Sequence, residues 1–144
     1  MESHQTHFQR AVCFFHQGQL PDALASLNQC LSMAPTLALA HNNIAVVYEH
    51  MGKSDEAEES LKNALALNPS NYLFYFNSSS ICMRRGKSKQ SLSLIQQAIS
   101  AQLTVLGKLK KDPTMLERAL EVCPNNIEAS LLLSMHRVSS GQYL

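Results

Sequence analysis

Six histidines, four cysteines and one run of carboxylates are the side chains of this 144-residue chain best suited to ligating a metal or moving a proton, and their spacing argues against both. His4 and His7 share one helix face near the N-terminus, and His16 and His50 stand 34 residues apart. No cysteine or carboxylate completes a tetrahedral ligand set around either pair, so no metal is expected. Cys13, Cys30, Cys82 and Cys123 are widely spaced with no C-x-x-C, each among apolar neighbours of helical period. They are expected as buried, reduced thiols, with disulfide pairing the alternative their even number leaves open. Asp55, Glu56, Glu58 and Glu59 open a helix, where negative charge complements the helix dipole and needs no catalytic explanation. With no glycine-rich phosphate loop and no nucleophile elbow, neither enzyme activity nor a cofactor is expected.

The formal net charge of +1 hides a segregation. Residues 1–83 hold seven acids against Arg10, Lys53 and Lys62. Residues 84–111 hold Arg84, Arg85, Lys87, Lys89, Lys108, Lys110 and Lys111 with no acid, and the rest of the chain holds four acids against Arg118 and Arg137. This basic band reads first as a solvated turn that keeps the chain soluble; the alternative is that its two groups make one face, which would suit an acidic protein partner. Nucleic acid is not expected, because single-strand binding wants interleaved aromatics as well as charge. No stretch approaches the roughly 18 apolar residues of a membrane span, and Glu2, Ser3, His4 and Gln5 do not read as a secretion leader, so a soluble, cytoplasmic protein is expected.

The elements that position these residues recur at an interval of 34. Gly18, Gly52 and Gly86 keep that spacing, as do Ala23 and Ala57, Pro35 and Pro69, Leu27, Leu61 and Ile95, and Phe14, Tyr48 and Cys82. In each unit one helical period precedes the glycine, and a second follows it and stops near a proline, which makes a helix hairpin. Small residues recur where the helices must approach closely: Ala11, Ala45 and Ser79; Ala23, Ala57 and Ser91; Cys30, Ala64 and Ala98.

The segment AHNNIAVVYEHMGKSDEAEESLKNALALNPSN resembles a near-consensus tetratricopeptide repeat, and residues 4–37 and 72–103 resemble two more. The pattern departs from the family in having no Trp; His7, His41 and Tyr75 take the aromatic position of the first helix. The resemblance implies an all-α fold, a right-handed superhelix of antiparallel helix hairpins, with about 3.5 repeats in one domain. The repeats fall at 4–37, 38–71 and 72–105, with an insertion over about 104–124 and a partial repeat at 125–144. Within the insertion, Gly107 is expected to end a long helix, and Asp112 with Pro113 to start a short one reaching Val122. The last helix, with Ile127, Ala129, Leu131, Leu132, Leu133, Met135 and Val138, is apolar over more than one stripe, so that either the short inserted helix covers it, or a partner or second copy does (a homodimer), or the chain is a piece of a longer one.

In the family the first helices line a concave groove. Carried over by position, that groove is expected to be lined by Phe8, Gln9, Val12, Phe15 and His16, then by Asn42, Asn43, Val46, Glu49 and His50, then by Leu73, Phe76, Asn77, Ser80, Met83 and Arg84. Gln9, Asn43 and Asn77 occupy equivalent positions and would form a ladder of amides, which both donate and accept and so suit a peptide backbone. Some family members clamp the acidic C-terminus of a chaperone between Lys and Asn side chains. Here the matching places hold Phe8, Val12, Asn43, Leu73 and Asn77, and only Asn43 agrees, so binding of chaperone tails is not expected. The function implied is a protein-binding scaffold or adaptor that takes an extended or helical segment of a partner. The alternatives are a regulatory or targeting segment of a larger enzyme and a small secretion-type chaperone.

Overall fold

Each glycine of the 34-residue frame sits at a left-handed backbone position, with φ of 75° at Gly18, 74° at Gly52 and 73° at Gly86. A Cβ there would meet the strain of the left-handed region, so glycine ends one helix and lets the chain turn into the next. The computed structural model describes residues 1–141; the last three residues of the expected partial repeat lie outside the described residues. Eight helices and no strand occur among the described residues. None is long and apolar enough to cross a membrane.

The chain divides into two compact units, Met1–Pro69 and Ser70–Leu144. In the first, α1 (His4–His16) and α2 (Leu20–Met33) form one hairpin, α3 (Ala38–His50) and α4 (Ser54–Leu67) a second, and α2 packs on α3. Ala11, Ala23, Leu27, Cys30, Ala40, Ile44 and Val47 make its core, with Phe14, Leu20 and Tyr48 packed against them. The small residues are buried at every position where close approach was expected, including Ala45, Ala57 and Ala64. Burial pushes the Cys30 thiol above the usual thiol range, which keeps it protonated. All four cysteines are free thiols, but only Cys30 and Cys82 are buried; Cys13 is exposed on the outer side of α1, and Cys123 is half-buried at the extended residue that follows α7.

In the second unit α5 (Tyr72–Arg84) pairs with α6 (Ser88–Lys110) through mutually bonded hydroxyls, Ser79 Oγ and Ser91 Oγ lying 3.0 Å apart. Two small polar residues thereby replace the Ala–Ala contact of the other hairpins. Then α6 runs on for 23 residues, and α7 (Pro113–Val122) folds back along its second half, followed by α8 (Ile127–Ser139). Gly107 does not end α6. It lies inside the helix, buried, where a Cβ would stand 2.8 Å from Leu116 Cδ2, so its missing side chain is what lets α7 dock.

The segment expected as an insertion is a shortened hairpin whose first helix is continuous with the preceding one. The amide of Asp112 donates to the Gly107 carbonyl at 3.0 Å, repeating the bonds from Gln19 to Phe14, from Lys53 to Tyr48 and from Lys87 to Cys82 that close the other turns. Lys111, at φ 52°, takes the left-handed place of the glycines. Ala119 and Leu116 stand five and eight residues before Pro124, as Cys30 and Leu27 stand before Pro35 and as Ala64 and Leu61 stand before Pro69, and all six are buried. At 10 residues against 14 for α2 and α4, α7 lacks one turn. Because α6 runs straight on, Leu92 and Ile99 remain exposed, whereas their counterparts Leu24 and Leu31 are covered in the first unit.

Asn126 locks this hairpin to α8. Its amide donates to Ser100 Oγ at 2.8 Å and Thr104 Oγ1 at 2.9 Å, while its oxygen accepts the Ala129 amide at 3.0 Å and caps α8. Ser100 in turn donates to the Ala119 carbonyl at 2.8 Å, so one polar cluster ties α6, α7 and α8 together. Tyr75 is half-buried, and that burial, followed by the nearby Cys123, raises its phenol above the ordinary range.

The basic band does not form one face. Lys89 and Lys108 lie near opposite ends of a continuous helix, and at about 1.5 Å per residue their backbones are roughly 28 Å apart. Arg84, Arg85, Lys87 and Lys89 form one exposed cluster at the turn into α6; Lys108, Lys110 and Lys111 form another at its far end.

Candidate functional site

The first unit contains a hollow of about 180 Å³ whose walls come from three helices. Ala11, Val12, Phe15 and His16 line it from α1, Leu27 from α2, and Asn43, Val46 and Val47 from α3. The spacing explains the set: residues one, four and five positions after Ala11 return to the same side of a helix, as do Val46 and Val47 after Asn43. Leu27, at 1% exposure, is a rigid apolar floor.

The polar groups of the hollow are few and held in place. Asn42 Nδ2 donates to Asn43 Oδ1 at 3.2 Å, a bond that uses only the oxygen of the Asn43 amide. His50 packs edge-on against Phe15, ring centroids 4.8 Å apart and planes at 85°. Its Nδ1 is 2.8 Å from the Val46 carbonyl, which can only accept, so that nitrogen carries the proton and the ring is fixed. Phe15 also meets His16 edge-on, at 5.9 Å. The result is an apolar socket with an aromatic and imidazole wall and one amide at its edge.

Of the residues expected to line a groove, Val12, Phe15, His16, Asn43 and Val46 meet in this hollow, with His50 against its wall. Phe8 and Gln9 do not. They border a second, wider hollow of about 430 Å³ with His4, Gln5, Leu37 and Leu39, beside the start of α1. Asn42 requires a correction: at 3% exposure it is interior, not groove-lining. Helix α3 is buried around most of its circumference, at Ala40, Asn42, Ile44, Ala45 and Val47, which narrows the open arc to Asn43, Val46 and His50. In the second unit Phe76 and Arg84 are exposed on α5, while Asn77 and Ser80 are half-buried, with Ser80 Oγ donating to the Phe76 carbonyl at 3.1 Å. Leu27 and Val47 also line the hollow although both are buried, because they form its floor and inner wall; the 34-residue spacing that singles out Leu27 reports only its burial.

No group of three or more histidine, cysteine or acidic side chains suited to a metal occurs among the described residues. Nothing in the hollow is arranged as a nucleophile with a base. Its chemistry is that of shape, apolar contact and one amide.

Stacked antiparallel helix hairpins within each unit define an all-α repeat protein of the solenoid class. The family follows from sequence: the tetratricopeptide repeat model matches residues 38–71, and a second tetratricopeptide repeat model matches residues 5–36, so this chain is a tetratricopeptide repeat protein. No curated protein matches the chain. Among solved structures, the second tetratricopeptide domain of Spaghetti (RPAP3), bound to the HSP90 peptide SRMEEVD, is similar with a TM-score of 0.63 at 20% identity, over 67% of this chain and 90% of its own. MamA gives 0.63 at 16% identity over 96% and 83%, and PilF of Pseudomonas aeruginosa 0.60 at 17% over 97% and 70%. At these identities the likeness is one of fold.

Proposed function

We propose that the chain is a protein-binding scaffold or adaptor whose first unit holds a partner peptide by seating one apolar side chain in the hollow beside Asn43. The observation that carries this reading is the hollow itself. It is large enough for a single leucine- or methionine-sized side chain, is lined by Val12, Phe15, Leu27, Val46 and Val47, and has one amide at its edge for the peptide backbone. An apolar pocket with a few convergent polar groups is the usual form of such a site. Gln9, which borders the second hollow of the same unit, is the further amide we assign to backbone contacts.

The Spaghetti (RPAP3) domains were solved with an HSP90 peptide ending in Glu-Val-Asp. We propose a different preference here. The hollow has no lysine or arginine in its wall, and the first 69 residues carry seven acids against three cations, a field that repels a chain-terminal carboxylate. An acidic partner is instead assigned to the turn between α5 and α6, where Arg84, Arg85, Lys87 and Lys89 cluster. A scaffold role does not depend on whether the chain acts alone or as a regulatory part of an enzyme.

The test is selection of 12-residue peptides on the purified chain, followed by fluorescence anisotropy. Selected peptides should share one large apolar residue and need no free C-terminus. Asn43→Ala should weaken them about threefold to tenfold, the worth of one hydrogen bond, and Val46→Glu by more. Enrichment of acidic C-termini, or affinities unmoved by both substitutions, would defeat the proposal.

A further inference from the structure

Helix α8 has three faces of different character. Ala129 and Leu133 are buried, with α7 and α6 as neighbours. Ser130, Ser134 and Arg137 form an exposed polar face. Between these lies a row of large apolar side chains, Ile127, Leu131, Met135 and Val138, exposed by 75%, 60%, 67% and 63%. At about 100° per residue the four span an arc of roughly 80°, a single stripe along the helix.

The first unit shows what such a stripe is suited to. Gly141, at φ 72°, closes α8 as Gly18 closes α1, and in that register Leu131, Met135 and Val138 match Phe8, Val12 and Phe15. On α1 those residues are half-buried, and Phe15 meets His50 of the next first helix, α3. The matching stripe on α8 is apolar and uncovered. A second helix following α8 in the manner of α4 would not cover it, because the position of Ala45, whose counterpart Ser79 faces Ser91 across its hairpin, is Ser134 in α8, on the polar face.

The surrounding charge selects the occupant. From residue 70 onward the chain carries nine cations against four acids. Three of those acids are engaged within the unit: Glu128 by Lys108 at 3.8 Å and Ser70 at 2.6 Å, Glu117 by Arg137 at 3.9 Å, and Asp112 by Thr114 at 2.7 Å. Lys110 and Lys111 are exposed where α6 turns into α7, and Arg118 is exposed in the middle of α7, beside the Glu117–Arg137 contact that holds the last turn of α8; the remaining acid, Glu121, is exposed in the last turn of α7. The field beside the apolar row is therefore positive.

We propose that the row on α8 docks one amphipathic helix of another protein, apolar on one stripe and acidic on its flanks, lying along α8. This rests on the protein-binding reading but uses a surface separate from the hollow of the first unit. Helix-on-helix docking reads an apolar stripe that recurs every three or four residues, and Ile127, Leu131, Met135 and Val138 stand at i, i+4, i+8 and i+11, about three turns of such a stripe.

Two designed 16-residue helical peptides with the same leucine stripe, one with glutamate and one with lysine on its flanks, test this against the full chain by fluorescence anisotropy. The glutamate peptide should bind at least tenfold more tightly, and should weaken between 50 and 500 mM NaCl as the field is screened. Leu131→Ser with Met135→Ser should lower its affinity at least tenfold with an unchanged melting curve, since both side chains are exposed. Lys110→Glu with Lys111→Glu should narrow the difference between the two peptides without altering the row. Asn43→Ala should leave it unchanged. Equal binding of both peptides, or no loss in the serine variant, overturns the proposal. So does a chain that light scattering shows to be a dimer broken by the serine pair, for a second copy would then be the occupant. Loss in Asn43→Ala alone would overturn it while leaving the hollow as a peptide site; if the library peptides fail as well, both readings fall.

Discussion

Replacing Gly107 by alanine separates a helix-end glycine from a docking glycine. At an ordinary position inside a helix, Gly→Ala stabilises by about 1 kcal/mol, because alanine loses less backbone freedom on folding. Here the new Cβ would lie 2.8 and 2.9 Å from two carbons of the buried Leu116 and 3.2 Å from the Asp112 carbonyl. Forcing a packed side chain to move costs about 1–3 kcal/mol, so the expected net change is a loss of roughly 0–2 kcal/mol. The double-mutant cycle is sharper. Leu116→Ala alone should cost about 2–5 kcal/mol by opening a cavity. With both substitutions the clash with Leu116 is gone and only the 3.2 Å approach to the Asp112 carbonyl remains, so the pair should be less damaging than the sum of its parts by about 1–3 kcal/mol. Urea unfolding followed by circular dichroism measures all three. Stabilisation by Gly107→Ala alone, together with additivity within about 0.5 kcal/mol, would refute the packing of α7 on α6.

Three further outcomes follow from the same unit. Lys111 holds a left-handed backbone without being glycine, so Lys111→Gly should raise stability by about 1 kcal/mol in urea unfolding. Asn126→Ala removes a helix cap and two side-chain hydrogen bonds and should cost about 2–3 kcal/mol, with hydrogen exchange rising first in α7 and α8. The hydroxyl and amide of Thr114 hold the Asp112 carboxyl below its usual range. A depressed carboxyl contributes stability above its unfolded pKa of about 3.9 and loses it as pH falls through the folded value. Protection from hydrogen exchange in the first turn of α7, taken relative to the intrinsic amide rate at each pH, should therefore fall with acid below about pH 4 in wild type, and less so in Asp112→Asn.

The hairpins were legible because their signals are local. Glycine at φ near 75° leaves few substitutes, and the alanines at close approaches tolerate nothing larger, so both survive as a visible period. The helix over Pro113–Val122 was legible from Asp112 and Pro113, but that it closes a hairpin with α6 was hidden by the same rule, since the turn uses Lys111 where a glycine was sought and the helix lacks one turn. Pro124, with Ala119 and Leu116 at the matching offsets, was the signal that could have revealed it. Gly107 misled because a glycine near the end of a helical pattern reads as a stop, whereas its reason is a leucine nine residues later in sequence and in contact only after folding. At the site, helical phase placed Val12, Phe15, His16, Asn43 and Val46 together. It did not show that α3 is covered at Asn42, because burial around a helix depends on how many neighbours it has, which no single helix encodes. The separation of the basic band into two clusters likewise followed from the unbroken length of α6.

The most direct test of the peptide-holding role is a nuclear magnetic resonance titration of a library-selected peptide into the full chain, following the Asn43 side-chain amide and the methyl groups of Val12, Val46 and Val47. Saturating shifts of these groups, with matching contacts from one apolar peptide side chain to the Val46 methyls, are predicted. A peptide that binds at the same affinity while those signals stay still would contradict the account.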